Sequence, residues 1–380
     1  MKRLCLIILL ITFIICAGCS SQTAEIAKVT QQNPVNVHNS IAASNSSSKQ
    51  SSKQSISNQS KTKKTEELSP VPSTAAAKKA AASTENSNTG PARQQSRVTL
   101  WVTRDYAGQG LFNQEVPLRS GASVMEVLQK NLPVETQYGG GFVNSINGLA
   151  SGYTGADKKT RDWFYYVNGI ITSVGALDYK PAPGEIIWWD YHDWGASAFT
   201  PALIGAFPQP FRSGYRGINP GTLILAAMGH EQQGEKLAAY LKSLGVKQVE
   251  VKPYSASLLL EDKKITIVLG LWKQLKDDKY WLGLQKQRQK TGLFVELNPE
   301  YFAALDDQGA KVQQYKQNIG AIVATGSGMG DNTPVWLVTG LDTAGLEGAL
   351  DTLIKNPQAI KQHFGALVEG DKIISVPVAR

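Results

Sequence analysis

The chain has 380 residues, of which 42% are hydrophobic and 18% charged, and its formal net charge is +8. The positive charge is confined to the first 97 residues, which hold 12 Lys/Arg and 4 Asp/Glu, whereas the remaining residues hold 27 of each. A nucleic-acid-binding domain carries its basic charge on the folded surface, so the neutral balance after residue 97 argues against that class. A basic segment beside an anionic membrane or wall polymer is the simpler interpretation.

The first residues have the pattern of a lipoprotein export signal. Lys2 and Arg3 provide the positive start, and residues 4–15 form an apolar run too short to span a bilayer. Small residues then precede Cys19, as in a lipobox, although a cysteine stands where leucine is usual. We expect residues 1–18 to be removed and Cys19 to be lipidated, which anchors the protein to the extracytoplasmic face of the cell membrane.

All three cysteines belong to this signal: Cys5, Cys16 and Cys19. The sequence after them therefore offers no disulfide scaffold, thiolate nucleophile or cysteine metal site. An uncleaved membrane helix is the alternative for the signal. It is disfavoured because polar residues begin directly at Ser20.

Residues 19–97 are predicted to be a disordered tether. They are rich in Ser, Gln, Asn, Lys and Ala and contain too few apolar residues to bury a core. An Ala-Lys helix over residues 74–83 would be marginal in water. Two folded domains are predicted after the tether, over residues 98–197 and 198–380.

The first folded domain begins with strands and a helix. Residues 98–103 alternate as a half-buried strand does, and residues 114–118 predict a second strand. A helix over residues 122–128 follows, with Ser120 or Ser123 as its N-cap. The order strand, strand, helix and further strands is that of a β-grasp fold.

Glycines mark three turns after this helix. Residues 139–141 are all glycine, which permits either close approach of the backbone to a partner or a plain loop before a strand at Phe142. The Asn-Gly pairs at 147–148 and 168–169 predict tight hairpin turns.

Aromatic residues are concentrated between Trp163 and Trp194, which contain nine of the 31 in the chain. That is more flat apolar surface than a small core needs, so some rings are expected to face a ligand. On the strand over residues 163–167, alternate side chains share a face. Trp163, Tyr165 and Val167 share one face, and Phe164 and Tyr166 share the other. We expect one of these sets to pack under the helix and the other to face outward.

The segments GFVNSING, DWFYYVNG, GALDY and PGEIIWWDY follow one another between residues 141 and 191. In this order they resemble the C-terminal domain of transcobalamin and intrinsic factor, over roughly residues 98–194. The resemblance implies a small β-grasp-like module that covers one face of cobalamin. Together with the triple glycine it gives these candidate ligand contacts: Gly140, Gly141, Phe142, Trp163, Tyr165, Val174, Gly175 and Ala176. A purely structural, buried role is the alternative for Trp163.

A metal site is the weaker interpretation of the strand end at Asp190, His192 and Asp193. No second ligand cluster accompanies this pattern, so we expect no bound metal. His192 is chemically suited to be an axial ligand of cobalt, but the resemblance carries no histidine to that position.

Strands and helices alternate in the second domain. Buried-strand patterns cover residues 222–227, 265–269, 293–297, 322–324 and 335–339, and helical patterns cover residues 231–244, 345–353 and 357–364. The alternation predicts a layered α/β domain with a substantially parallel sheet, so the chain as a whole is predicted to be α+β.

Two loops of this domain attract functional interpretations. The glycine-rich residues 326–331 lead directly into a strand instead of opening a helix, which argues against phosphate binding. The aromatic loop over residues 205–215 joins the domains. Phe207, Phe211 and Tyr215 are expected either to line a cleft or to form a packed linker.

No catalytic triad, carboxylate pair or hydrolase metal motif is recognisable, so we expect neither an enzyme nor a catalytic cofactor. The leading hypothesis is an anchored extracellular lipoprotein that captures cobalamin or a related corrinoid and passes it to a membrane importer. The animal carriers enclose cobalamin with a helical domain that this sequence does not show. Either the α/β domain supplies the other wall, or binding is weaker and open. The alternatives are a cell-envelope module that binds glycan or protein, and an adaptor of a transporter with no ligand of its own.

Overall fold

The computed structural model describes residues 96–154 and 158–379, without the side chains of residues 289 and 290. The predicted signal, Cys19 and all but the last two residues of the tether lie outside the described residues. The α+β class is confirmed, with more strands than helices in the described part of the chain. We call residues 96–197 the N-terminal module and residues 198–379 the C-terminal module.

The N-terminal module is built on a mixed five-stranded sheet. Its strands are β1 (Arg97–Arg104), β2 (Gln109–Pro117), β6 (Arg161–Val167), β7 (Ile170–Ile171) and β8 (Ile186–Asp193). They are ordered β2-β1-β8-β6-β7, with β1 parallel to β8 and the other neighbours antiparallel. A second small sheet contains β3 (Val134–Gln137), β4 (Phe142–Ile146) and β5 (Leu149–Ala150).

Helix α1 (Val124–Asn131) covers one face of the five-stranded sheet. Ser123 is its N-cap, as predicted, and forms a capping box with Glu126. The predicted Asn-Gly turns are also confirmed, since both residues of each pair have positive φ, as a two-residue hairpin of type I′ requires.

The aromatic residues of β6 divide between two faces, but neither face is outward. Trp163 and Tyr165 pack in the core beneath α1. Phe164 and Tyr166 pack in a core shared with the C-terminal module, where Phe364 lies 5.9 Å from the Tyr166 ring. The prediction of an outward set was wrong, because residues about 200 positions later in the chain cover that face.

The C-terminal module contains a seven-stranded sheet. Its strands are β9 (Thr222–Ala226), β10 (Val249–Pro253), β11 (Ile265–Leu271), β15 (Ile319–Thr325), β16 (Val335–Gly340), β17 (Gly365–Glu369) and β18 (Lys372–Val376). The order is β10-β9-β11-β16-β15-β17-β18. The first four strands are parallel and the last three antiparallel, so the predicted parallel sheet accounts for about half of it. Strands β12 (Val295–Leu297), β13 (Phe302–Leu305) and β14 (Lys311–Tyr315) form a separate antiparallel sheet.

Helices α2 (Glu231–Ser243) and α7 (Thr343–Lys355) pack on one face of the large sheet. Its other face contributes to the core shared with the N-terminal module. Four short helices follow strands β10 and β11: α3 (Ala256–Glu261), α4 (Trp272–Leu275), α5 (Lys279–Lys286) and α6 (Arg288–Thr291). Within the described ranges, no helix combines the length and apolar character needed to cross a bilayer.

The helix predicted over residues 357–364 is only one 3-10 turn, Pro357–Ile360. The chain leaves the turn at Lys361, whose ψ of 130° is not helical, and Gln362 then has a positive φ of 62°. The backbone N–H of Gln362 then donates to the carbonyl of Gly205, and that of Gly205 donates to the carbonyl of His363. These bonds to a distant segment replace those that would have continued the helix.

Candidate ligand-binding site

The loop of residues 172–180, between β7 and β8, is built against the N-terminus of α1. The backbone N–H of Val124 donates to the carbonyl of Tyr179 at 3.0 Å, and that of Met125 donates to the carbonyl of Ala176 at 2.9 Å. Donors in the first turn of a helix have no partner within the helix. The loop therefore satisfies two of them, which fixes its position and closes this helix end to an anion.

Tyr165 of strand β6 also helps to hold this loop in place through a hydrogen bond. The Tyr165 hydroxyl donates to the carbonyl of Val174, and the Thr172 hydroxyl donates to that carbonyl at 3.1 Å. The ring of Tyr165 stacks on that of Trp189, with centroids 4.9 Å apart. Burial raises the pKa of Tyr165, so its hydroxyl remains a donor throughout the physiological pH range.

The C-terminal module holds the loop from the other side. The backbone N–H of Gly330 donates to the carbonyl of Ile171 at 2.8 Å, and that of Ser173 donates to the Tyr215 hydroxyl at 3.3 Å. A Cβ at residue 330 would overlap the Ser173 side chain, and φ is +75° there. Both modules therefore position the loop, and Tyr215 acts as a packed support instead of lining a cleft.

A second loop meets the first at the predicted triple glycine. Residues Tyr138–Gly140 form a 3-10 turn in which all three φ angles are positive. A Cβ on Gly140 would lie 3.9 Å from Leu177, so the two loops approach each other here. Tyr138 is 68% exposed, with its ring edge-on to Phe142, and Leu177 is 40% exposed. We call Tyr138, Gly140, Phe142 and Leu177 the apolar platform.

A pocket of about 240 Å³ lies along the same 172–180 loop. It is lined by Val174, Asp178, Tyr179, Lys180, Ala182, Glu185, Arg216 and Gly217. Two of these side chains are basic and two are acidic. The Glu185 carboxyl is buried and accepts hydrogen bonds from the Ala182 N–H at 2.9 Å and the Tyr179 hydroxyl at 3.4 Å. Burial raises its pKa above the usual range for a glutamate.

The structure brings only part of the predicted site to the surface. Four of the candidates lie on or beside the two loops with at least partial exposure: Gly140, Gly141, Phe142 and Gly175. Val174 is half-buried and lines the pocket.

The other three candidates lie beneath the surface. Tyr165 is the support described above, and Ala176 is buried with its carbonyl bonded to α1. Trp163 is only 8% exposed, and its indole N–H donates to the carbonyl of Leu149 at 3.1 Å.

Several surface residues were not among the candidates, and these include Tyr138, Leu177 and Arg216. Tyr138 precedes the triple glycine and Leu177 lies within the GALDY segment, so the sequence held a signal for both. Arg216 reaches the pocket from the other module, and no local pattern marks it.

Asp190 and His192 form a buried structural cluster. The Asp190 carboxylate lies 2.8 Å from His192 Nδ1 and accepts the backbone N–H groups of Tyr106 and Ala107. The imidazole is sandwiched between the rings of Tyr106 and Phe164, with centroids 4.4 and 4.5 Å away. The carboxylate thus holds the turn after β1, where three non-glycine residues have positive φ. In the part of the chain that the structure covers, no group of three or more His, Cys, Asp or Glu could hold a metal ion.

Comparison with known proteins finds one family model that matches part of the chain. Residues 121–193, which contain both loops and α1, match the model described as "Domain of unknown function (DUF4430)". No curated protein matches the chain.

Two solved structures are similar to about a quarter of the chain. One is a Ruminococcus gnavus protein proposed to bind metal, with 15% identity over 26% of this chain and 98% of that one, and a TM-score of 0.21. The other is haptocorrin in complex with Cbi, with 18% identity over 26% of each chain and a TM-score of 0.22.

Proposed function

We propose that this protein is a membrane-anchored extracellular lipoprotein that captures cobalamin or a related corrinoid for uptake, without catalysing a reaction on it. The observation that carries the proposal is the apolar platform, together with a polar pocket that shares its 172–180 loop, which both modules hold in place. The sequence resemblance to the cobalamin-covering domain of transcobalamin supports the choice of ligand.

A corrinoid suits this surface because it is large, flat and amphipathic. Gly140 lets a ring approach the backbone closely, and Leu177 and Tyr138 offer apolar contact. The polar groups of the pocket suit the hydrophilic edge of such a ligand. Because the 172–180 loop is already fixed by hydrogen bonds, its part in binding would cost little ordering entropy.

The site is open, and this limits its affinity. Pockets that enclose a whole small ligand measure about 300–1,000 Å³, whereas this pocket measures about 240 Å³. The C-terminal module supports the loop at Ser173 and packs on the opposite face of the sheet. We therefore propose open, exchangeable binding, with a Kd near micromolar, or about 8 kcal/mol. Such binding is compatible with delivery to a membrane importer.

A glycan of the cell envelope is the second candidate ligand. The observation in its favour is the Tyr138 ring, which is largely exposed and suited to stack against a sugar. A glycan would require that ring above all, whereas a corrinoid would require Leu177 and the glycine turn as well.

Calorimetric titration of the full-length protein in detergent with cyanocobalamin tests the proposal. Saturable binding should weaken at least tenfold in Leu177→Ser. It should remain unchanged in Leu282→Ser, which alters a leucine of similar exposure (42%) in α5. No binding at millimolar cyanocobalamin, together with binding of an envelope glycan that Tyr138→Ala abolishes, would replace the corrinoid proposal with the glycan one.

A further inference from the structure

Helices α5 and α6 are basic, although the folded part of the chain is neutral. Residues 279–291 hold four Lys/Arg and no acidic residue, whereas residues 98–380 hold 27 of each kind. The long helices do not share this excess, since α2 has two acidic and two basic residues and α7 has two acidic and one basic. Positive charge is therefore concentrated on the two short helices that precede β12.

One side of α5 presents two lysines and a leucine to solvent. Lys279, Leu282 and Lys286 follow one another at three- and four-residue spacing, which places them on the same side of the helix. Both lysines are exposed, and Leu282 between them is 42% exposed. Among the described residues, neither lysine has an ion-pair partner. We call Lys279, Leu282, Gly283 and Lys286 the basic face.

The other side of α5 is fixed to the core, so the basic face points outward. Trp281 is buried, and its indole N–H donates to the Tyr254 hydroxyl at 3.1 Å. The carboxylate of Asp278 caps the helix and accepts the Tyr254 hydroxyl at 2.7 Å. Asp277 pairs with Lys276, also at 2.7 Å. The two carboxylates that precede the helix are therefore engaged with other groups and do not neutralise the basic face.

We propose that the basic face docks on the anionic lipid surface of the membrane to which the protein is anchored. Lysines attract anionic headgroups, and an apolar side chain between them enters the boundary of the acyl chains, as in helices that lie in a membrane interface. Each basic residue adds only several-fold to such binding. A weak contact is sufficient, because the predicted tether keeps the folded part of the chain close to the membrane. This inference rests on the proposed anchor at Cys19 and not on the proposed ligand.

Docking of α5 would orient the N-terminal module as well, because the basic helices are joined to it. A Cβ on Gly292, directly after α6, would lie 2.7 Å from the Thr200 hydroxyl oxygen, so the two backbones are close. The carbonyl of the next residue, Pro201, accepts a hydrogen bond of 3.1 Å from the backbone N–H of Ile171. Ile171 ends β7, immediately before the 172–180 loop. A docked α5 would therefore hold this loop in one orientation relative to the bilayer.

Labelling of lysines on vesicles tests the docking. The full-length protein is reconstituted, without corrinoid, in vesicles of phosphatidylcholine alone or mixed equally with phosphatidylglycerol, and is briefly acetylated. Lys279 and Lys286 should react at least about threefold more slowly on the mixed vesicles, and about 1 M salt should remove this protection. Lys242 and Lys247, at the end of α2, are internal controls that should react equally on both vesicles. They are exposed and have no ion-pair partner in the part of the chain that the structure covers.

A single added charge tests whether the basic face itself makes the contact. Leu282→Glu places a carboxylate between the two lysines and should remove the difference in their labelling between the two kinds of vesicle. Ile218→Glu adds the same charge at another exposed apolar residue (56%), in the loop before β9, and should leave the protection of both lysines unchanged. Unchanged thermal melting would show that each variant is folded.

The outcomes separate the docking from the anchor on which it rests. Equal labelling of Lys279 and Lys286 on the two kinds of vesicle would overturn the docking, and so would an equal loss of protection in both variants. Protection by added teichoic acid on neutral vesicles, but not by phosphatidylglycerol, would assign the basic face to a wall polymer instead. If the unaltered protein does not float with neutral vesicles, the anchor is refuted, and labelling on the mixed vesicles still decides the docking.

Discussion

The Tyr215 hydroxyl, in the C-terminal module, accepts a hydrogen bond of 3.3 Å from the backbone N–H of Ser173, in the loop beside the apolar platform. The two residues are 42 positions apart in sequence. Their contact, with that of Gly330 to Ile171, makes the loop a joint product of both modules. These two hydrogen bonds hold the loop in place from outside the N-terminal module.

Gly330→Val should loosen this loop. A Cβ at that position would overlap Ser173, and valine tolerates the positive φ poorly. Hydrogen exchange of the ligand-free protein should show faster exchange in residues 171–179 and little change in α2. Gly370→Val is the matched control, since Gly370 also has a positive φ but open space around its Cβ position. Equal effects of both variants on residues 171–179 would contradict the role of Gly330 in holding this loop in place.

Trp163→Ala should destabilise the protein, because the indole belongs to the core and not to the exposed candidate site. The indole is buried beneath α1, so its removal leaves a cavity that should cost about 3–5 kcal/mol of unfolding free energy. Tyr138→Ala, at the largely exposed ring, should cost less than about 0.5 kcal/mol. Urea denaturation compares the two variants. A stability of Trp163→Ala close to that of the unaltered protein would show that the indole is not part of the core.

Strand β1, the two Asn-Gly turns and the cap of α1 were predictable because their signals are local. Alternation marks β1, the Asn-Gly pairs mark the hairpins, and Ser123 stands three residues before Glu126. The turn after β1 was not predictable. Its positive φ angles at Asp105–Ala107 are stabilised by Asp190, which lies more than 80 residues later.

The sequence marked the two loops of the candidate site, but it did not show which of the predicted residues are buried. Gly140 and Leu177 bring the two loops together, whereas the sequence marked each loop separately and gave no signal that they approach each other. Periodicity could divide Trp163 and Phe164 between two faces but could not show that both faces are covered. The burial of both faces depends on long-range packing by Phe364 and its neighbours. Arg216 likewise reaches the pocket from a distant part of the chain, so no local pattern in the sequence marks it.

Asp162→Asn should stabilise the protein at alkaline but not at acidic pH. Burial raises the pKa of the Asp162 carboxyl to about 6, against 3.8 for an ordinary aspartate. Between pH 4 and pH 6 the unfolded chain therefore loses this proton before the folded one does, so stability falls as the pH rises through that window. Above pH 6, the stability lost through this carboxyl no longer changes with pH.

Asparagine does not ionise, so the variant should gain up to about 3 kcal/mol of unfolding free energy at pH 8 and little at pH 4. Urea denaturation at the two pH values measures the difference. Asp371→Asn, at an exposed position, is the control and should show no gain that depends on pH. Equal gains for Asp162→Asn at both pH values would mean that ionisation of this carboxyl is not the cause.

The most direct measurement is hydrogen exchange of the full-length protein in detergent, with and without saturating cyanocobalamin. Ligand on the apolar platform should slow exchange in residues 138–142 and 172–180 and leave α7 of the C-terminal module unaffected. Unchanged exchange in both loops, or slowing confined to other segments, would contradict corrinoid capture at this site.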